Sequence, residues 1–581
     1  MARRLARFLA PAALALGALS PATAAAAVPL PFGHACTPQN GVRFCPTTDL
    51  ASRPLSFDGT PIDVDVTLPP TGGGPFPTLL LVHGLGGNKT TFESTAGDAA
   101  YTNWFFAQHG YAVITPTARG FAGSCGRPSA SSPGCEHGWT RLMDMRYEVR
   151  DFQTLTGRLV DEGIVDPRRI GTTGISYGGG FSTMLGFLKN RIRTEDGGYA
   201  PWTSPQGTPI SLAAAWPRWM WSNGAGIFVR NGRAPWSRRP TGAIVQSYAN
   251  GIFATAFSGN IAPTGGDLST DITRWKQQID AGLITSATQA TLDLAYRYHG
   301  VAGLTRAAGG PAPLLIQSGW TDALFPVGQA LGAYRAIRAH DRKAPVALQL
   351  SDSGHGPGVN HPRDVAAFDA QGLAFLDAWV KGGTVGAKPR PGSVRAYSMV
   401  CPASLPAGGG PFRARSYGRL ARGTVRFGSA KALRITSDGA DPALAQAIPG
   451  LSNAGALCTP HEPDATSKAV FSTRSRGVTL LGQPVIRGRV RTSGDNGQLA
   501  ARVWDLAPRT GLQQLITRGI YRLTNDERGR FRFTLDGNGW RFKRGHRIVV
   551  ELLGRDAPTY APSPTPFTAR LINVRISLPV R

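Results

Sequence analysis

From about residue 50 to 385, short apolar runs alternate with longer amphipathic stretches. The runs "TLLLVHG", "YAVITPTARG", "RIGTTGIS", "ISLAAAWP", "PLLIQSGW" and "VALQLSD" are rich in Val, Leu, Ile and Ala. Several are nearly continuous, which predicts strands of a parallel sheet covered on both faces. Between them, "TNWFFAQHG", "MRYEVRDFQTLTGRLVDEG", "GGFSTMLGFLKNR", "VGQALGAYRAIRAH" and "AAFDAQGLAFLDAWVKGG" predict helices, the last stopped by glycines. Strand and helix in alternation predict an α/β fold, here a catalytic domain over residues 47–385. One segment breaks the rhythm. Between Trp221 and Gly309 no strand is evident, while "STDITRWKQQIDAGL" and "SATQATLDLAYRYHG" have helical texture, the second with Ser286 or Thr288 as N-cap. A helical cap over 222–309, above the carboxyl ends of the strands, is the expectation.

After the linker "KGGTVGAKPRPGS" the period shifts towards two. "TLLGQPVIRGRVRTS", "QLAARVWDLAP", "LITRGIYRLT", "GRFRFTLDG" and "HRIVVELLG" alternate between Gly, Asn and Asp turns, predicting a jelly-roll β-sandwich over 390–581. At the other end, Arg3, Arg4 and Arg7 precede the short apolar stretch "FLAPAALALGALS" and the alanines Ala24 to Ala27. That order reads as a cleavable signal peptide over 1–26. The remaining chain has no run long enough to be a transmembrane anchor.

Composition supports this picture. The 581 residues exceed one ordinary domain, and 41% hydrophobic with 17% charged residues excludes a disordered chain. The six cysteines suit an oxidising compartment, and closeness in sequence pairs Cys36 with Cys45, Cys125 with Cys135, and Cys401 with Cys458. With no C-x-x-C and no histidine at ligand spacing, no metal is implied, and no cofactor either. The formal charge is +27, and from Arg390 onward 30 Lys and Arg stand against 11 Asp and Glu. This excess fits either attachment to an anionic cell envelope or a merely solvated basic surface. No nucleic-acid-binding signature accompanies it.

The chemistry lies in "TTGISYGGGFS", where Gly174, Ser176 and Gly178 spell G-x-S-x-G between a strand and a helix. Such a turn strains the serine, lifts its Oγ above the sheet edge and aims helix N-terminal amides at the same spot. A serine hydroxyl needs a base, and the α/β-hydrolase order is Ser, Asp, His. "PLLIQSGWTDALFP" ends a strand before Asp322, and "PVALQLSDSGHG" ends the next before His355. We assign Ser176 as nucleophile, His355 as general base and Asp322 as the acid that orients it. Asp352 competes for the acid, and His340 or His361 for the base. Tyr177 and Leu85 are the expected oxyanion donors through their main-chain amides. His83 is expected to shape that loop, and Trp216, Trp219, Trp221 and Phe228 to line an acyl pocket or pack the cap.

With these residues the chain resembles the Xaa-Pro dipeptidyl-peptidase and cocaine-esterase superfamily of serine hydrolases. "GISYGG" matches that family's elbow, "GWTD" its acid, "GHG" its histidine, and "ARVWDLAPRTGLQQLITRGIYRL" and "FKRGHRIVVELLGRDAPTYAP" its C-terminal module. The resemblance implies an α/β-hydrolase with a helical cap, acting on small ester or peptide substrates. Relatives of prolyl-dipeptidase or cocaine-esterase type place a tyrosine hydroxyl in the oxyanion hole. Here that loop reads "HGLGGNKTTF", without tyrosine, as in lipases and ordinary esterases. The expected function is a secreted serine hydrolase with esterase-like activity. The alternatives are an Xaa-Pro dipeptidyl-peptidase and an envelope-binding protein on an inactive hydrolase scaffold.

Overall fold

Eleven strands form one mixed sheet. They are β1 (Thr37–Gln39), β2 (Val42–Cys45), β3 (Val64–Leu68), β4 (Phe76–Val82), β5 (Ala112–Pro116) and β6 (Val165–Ile175). Then come β7 (Leu212–Arg218), β8 (Leu314–Gly319), β9 (Val346–Ser351), β10 (Val394–Ser398) and β11 (Gly409–Ala414). Their order across the sheet is β1-β2-β3-β5-β4-β6-β7-β8-β9-β10-β11. From β5 to β10 the neighbours are parallel, and both margins are antiparallel. The computed structural model describes residues 29–93, 101–233, 242–282, 284–304, 310–382, 387–438, 455–464 and 469–581. The expected signal peptide lies outside them.

The six apolar runs became β4 to β9. Every position of β8 and β9 is buried, because helices cover both faces of a parallel sheet. Two features differ from expectation. Three short strands, β1 to β3, precede the first apolar run. The sheet also continues past residue 385: β10 pairs with β9 in parallel and β11 folds back on β10. Residues from 390 to about 414 therefore complete the hydrolase sheet instead of opening the second domain.

The segment after Trp221 holds helices Ala225–Phe228, Gln246–Ser258, Ile272–Asp280 and Ser286–Tyr298 around an apolar cluster of its own, including Phe253, Trp275, Ile279 and Leu292. The last helix is capped by the Thr285 hydroxyl, which accepts from the Thr288 amide at 3.2 Å, so neither Ser286 nor Thr288 is the cap. A two-residue ladder, Val229–Arg230 with Ala243–Ile244, was not foreseen.

The C-terminal strands are β12 (Gly423–Ser429), β13 (Leu433–Thr436), β14 (Ala469–Arg474), β15 (Val478–Gly482), β16 (Val485–Ser493) and β17 (Gln498–Leu506). They continue with β18 (Gln513–Arg522), β19 (Arg528–Thr534), β20 (Asn538–Phe542), β21 (Arg547–Leu553) and β22 (Thr568–Val580). One sheet runs β19-β16-β22-β15-β20, with β12 and β13 also on β22; the other runs β14-β21-β17-β18. All pairs are antiparallel. Ile486, Phe531, Phe533 and Leu571 from the first sheet meet Phe471, Leu499, Val503 and Val550 from the second in one core. Leu481, Ile520 and Tyr560 join the catalytic core instead, which seats the β domain against the hydrolase. Disulfides link Cys36–Cys45, Cys125–Cys135 and Cys401–Cys458.

Candidate active site

Ser176 stands between β6 and the helix Tyr177–Leu188, with φ 61° and ψ −114°. A non-glycine residue at positive φ is strained and persists only where its surroundings impose it. The close approach of neighbouring strands imposes it here. A Cβ at Gly178 would lie 1.8 Å from the Val82 carbonyl oxygen, so only glycine lets the helix start this close to β4. The Ser176 amide donates to the Arg218 carbonyl at 3.1 Å, fixing the turn against β7.

Asp322 follows β8 and His355 follows β9, and both side chains reach the elbow. His355 Nε2 lies 2.7 Å from Ser176 Oγ, and Nδ1 lies 2.9 Å from Asp322 Oδ2. A carboxylate can only accept, so Nδ1 carries the proton and Nε2 presents its lone pair to the serine hydroxyl. Asp322 is buried and its two oxygens are saturated. Oδ1 accepts from the amides of Leu324 (3.0 Å) and Phe325 (2.8 Å), and Oδ2 also accepts from the His355 amide at 3.2 Å. Gly354 has φ +109°, and a Cβ there would sit 2.3 Å from Asp322 Oδ2. That is why glycine precedes the histidine. The imidazole packs edge-on against Trp219 and Phe325, at centroid distances of 5.7 and 5.1 Å.

The peptide between Ala323 and Leu324 is gripped from behind. Its N–H serves Asp322, while its carbonyl accepts from Arg230 Nη2 at 3.0 Å. Arg230 is held in turn by Tyr248 Oη and, 2.9 Å away, by Asp536 of the β domain. Sequence reasoning missed Arg230 because its partners lie on three distant segments.

Leu85 and Tyr177 border the same cavity as Ser176. Tyr177 is the first residue of its helix, where main-chain amides lack intrahelical acceptors. The Leu85 amide has no acceptor among the described residues. His83 holds the loop: Nε2 accepts from the Ala118 amide at 2.9 Å, and Nδ1 donates to the Gly84 carbonyl at 2.6 Å. Burial pushes its pKa down to about 4, so it stays neutral and keeps both bonds. Beneath Tyr177, burial pushes Glu148 up to about 7 while its carboxyl collects the amides of Arg141, Met143 and Asp144. This tie holds the loop that carries Leu142 to the cavity.

The cavity opens beside Ser176, between the elbow and the helices of the cap segment. Its walls include Leu142, Ile227, Phe253, Trp275, Leu324 and Phe325, and no carboxylate borders it among the described residues. Trp221 and Phe228 line it as expected; Trp219 serves the imidazole, and Trp216 lies in the core beside Tyr101. Leu324 and Phe325 were legible in principle, since "DALFP" places apolar residues directly after the acid. Of the competitors, His361 and Asp352 face each other at 3.5 Å, and His340 ends the helix Val327–His340.

Residues 58–191 match the family model "X-Pro dipeptidyl-peptidase (S15 family)", and residues 424–571 match that of the X-Pro dipeptidyl-peptidase C-terminal non-catalytic domain. Among solved structures, an α-amino acid ester hydrolase superposes with a TM-score of 0.61 at 16% identity, covering 97% of this chain and 98% of its own. An aminopeptidase from a marine sediment Thaumarchaeota archaeon gives 0.58 at 16% identity, covering 94% and 98%. A CocE/NonD family hydrolase from Staphylococcus aureus gives 0.59 at 14% identity, covering 93% and 94%. At such identities these superpositions show the fold. No curated protein matches in sequence.

Proposed function

We propose that this chain, a serine hydrolase of the X-Pro dipeptidyl-peptidase (S15) family, is a secreted esterase for uncharged, apolar acyl groups. Ser176 Oγ attacks the ester carbonyl as His355 Nε2 takes its proton, and Asp322 steadies the resulting imidazolium. The amides of Leu85 and Tyr177 receive the developing oxyanion. His355 then protonates the departing alcohol, and the same base activates water to free Ser176 from the acyl group. The supporting geometry is the relay of 2.7 and 2.9 Å through His355.

The preference for apolar esters rests on the cavity wall, where no carboxylate stands among the described residues. A dipeptidyl-peptidase or an α-amino acid ester hydrolase must hold a substrate ammonium, and a buried cation without a partner is costly. The family model's name favours the second reading, an Xaa-Pro dipeptidyl-peptidase. Secretion is supported by the basic-apolar-small order of residues 1–26 and by three disulfides.

A fluorophosphonate probe is expected to label Ser176, with labelling lost in Ser176→Ala. In a paired assay, p-nitrophenyl butyrate and benzoate are expected to be turned over, and Gly-Pro and Ala-Pro anilides far more slowly. Turnover of the anilides alone would replace the esterase reading with the peptidase one.

A further inference from the structure

The outer face of the seven-stranded sheet carries arginines in cross-strand register. Arg528 on β19 pairs with Arg491 on β16, Arg491 with Arg570 on β22, and Arg570 with Arg434 on β13. One row thus crosses four strands. A second row aligns Arg532, Arg487 and Arg575 on β19, β16 and β22, and between them Arg489 stands opposite Arg530. All these arginines are exposed, while Ile486, Val490, Phe531, Phe533, Leu571 and Ile576 point into the core. None forms an ion pair among the described residues, and β16, β19 and β22 contain no Asp or Glu.

Like charges directly opposite one another destabilise a sheet. Here the arrangement repeats in every row, and the carboxylates that would relieve it are missing from the strands. The grid has spacings of about 4.8 Å across strands and about 6.8 Å along them. Such spacing suits an occupant whose own charges repeat every few ångströms. Guanidinium forks bind phosphate and carboxylate oxygens in pairs, so the matching chemistry is phosphodiester or uronate.

We propose that this face docks the enzyme on a linear anionic polymer of the cell envelope. The choice of an envelope polymer rests on the secretion reading above, whereas the arginine grid and its charge do not depend on the esterase reading. A lipid surface suits the face less well. The apolar residues at outward positions of the three strands are Val485, Ile572 and Pro579, all half-buried, so nothing is presented for insertion between acyl chains. Single-stranded nucleic acid suits it less well too, because no aromatic side chain stands outward on these strands to stack on bases.

The test uses the purified full chain beside a variant carrying Arg487→Gln, Arg489→Gln, Arg491→Gln and Arg570→Gln. Removing repulsion between exposed like charges leaves the fold at least as stable, and unchanged thermal unfolding verifies it. Binding is measured to lipid-free poly(glycerol phosphate) and to polygalacturonate, with dextran, a DNA duplex, single-stranded DNA and phosphatidylglycerol vesicles as the other arms. The wild type is expected to bind at least one anionic polymer and to lose roughly tenfold or more in affinity between about 50 and 200 mM salt, as counterion release demands. The variant is expected to lose at least tenfold at low salt, with ester turnover unchanged in the same samples. Equal binding by the variant, no binding by the wild type, or tighter binding to DNA or vesicles than to either polymer would overturn the proposal. Loss of ester turnover in both proteins would strike the esterase reading and leave this one standing.

Discussion

At the ends of β8 and β9 the chain builds two aspartate–histidine pairs from the same residue types, Asp322 with His355 and Asp352 with His361. In the first, Nδ1–H donates to the carboxylate and Nε2 faces the hydroxyl of Ser176. In the second, Nε2 lies 3.5 Å from Asp352 Oδ2, and Nδ1 donates to the Leu405 carbonyl at 2.6 Å. The His361 side chain is 0% exposed; that of His355 is 19% exposed. One imidazole keeps a lone pair for a reacting group, whereas the other is enclosed by acceptors on both sides. A histidine beside an acid is therefore not yet a base; what stands at its other nitrogen decides. The two pairs also touch, because Thr321, next to Asp322, donates its hydroxyl to Asp352. The closed pair braces the strand end that carries the acid of the open one.

That contrast breaks most sharply at the open pair. Ser176→Ala or His355→Ala is expected to lower kcat by about 10⁶-fold, and the double variant to fall no further, since the two act as one unit. Steady-state hydrolysis of p-nitrophenyl butyrate reads this directly. Asp322→Asn removes the acceptor that sets the His355 tautomer and is expected to cost about 10⁴-fold in kcat. Asp352→Asn, the matching change in the closed pair, is expected to leave kcat at the parent value while lowering the unfolding midpoint. Equal losses of kcat from the two asparagine variants would erase the distinction. A smaller effect is expected from Arg230→Met, which frees the Ala323–Leu324 peptide behind Asp322. It should lower kcat by about tenfold with KM unchanged, through misplacement of the acid. Added to Asp322→Asn it should cost nothing more, since its path runs through that carboxylate; an additive loss would place Arg230 outside the relay.

How much of this was legible in the sequence follows from the range of the forces involved. Strands β4 to β9 could be read because burial on both faces leaves unbroken apolar runs. The elbow could be read because its glycines are demanded by local backbone contacts, as Gly178 against Val82 shows. Asp322 and His355 could be placed at strand ends and set ahead of Asp352 and His361, but the direction of each imidazole could not be read, since it is set by partners as distant as Leu405. Strand β10 escaped notice because "VRAYS" is short and lies among Gly and Pro. The arginines of "VIRGRVRTS" show their period of two, yet only strand register sets them opposite those of β19 and β22. The cavity gathers Leu85, Leu142, the cap and Phe325 from four parts of the chain, and no local pattern announces such convergence.

The closed pair offers the smallest effect and a sign that can be checked. The Asp352 carboxylate, 3.5 Å from Nε2, is the main influence raising the His361 pKa, with help from the Leu405 carbonyl and the charge of Asp364, against the cost of burial. A histidine whose folded pKa exceeds its unfolded value of about 6.5 stabilises the fold fully below that pH, and the contribution fades as pH rises through the folded value. Asp364 faces the same imidazole, and its own pKa is raised by burial from the usual carboxylate value. His361→Gln is thus expected to cost roughly 1–3 kcal/mol at low pH, the range for leaving a buried polar group without its partner. The cost should shrink in alkaline solution, while kcat stays near the parent value at both pH values. Denaturant unfolding at pH 6 and at pH 9 reads the difference as a shift in ΔG. A cost that grows with pH would mean that His361 is neutral in the fold and that Asp352 holds a lone carboxylate there. A fall in kcat without loss of stability would give the second pair a part in the chemistry after all.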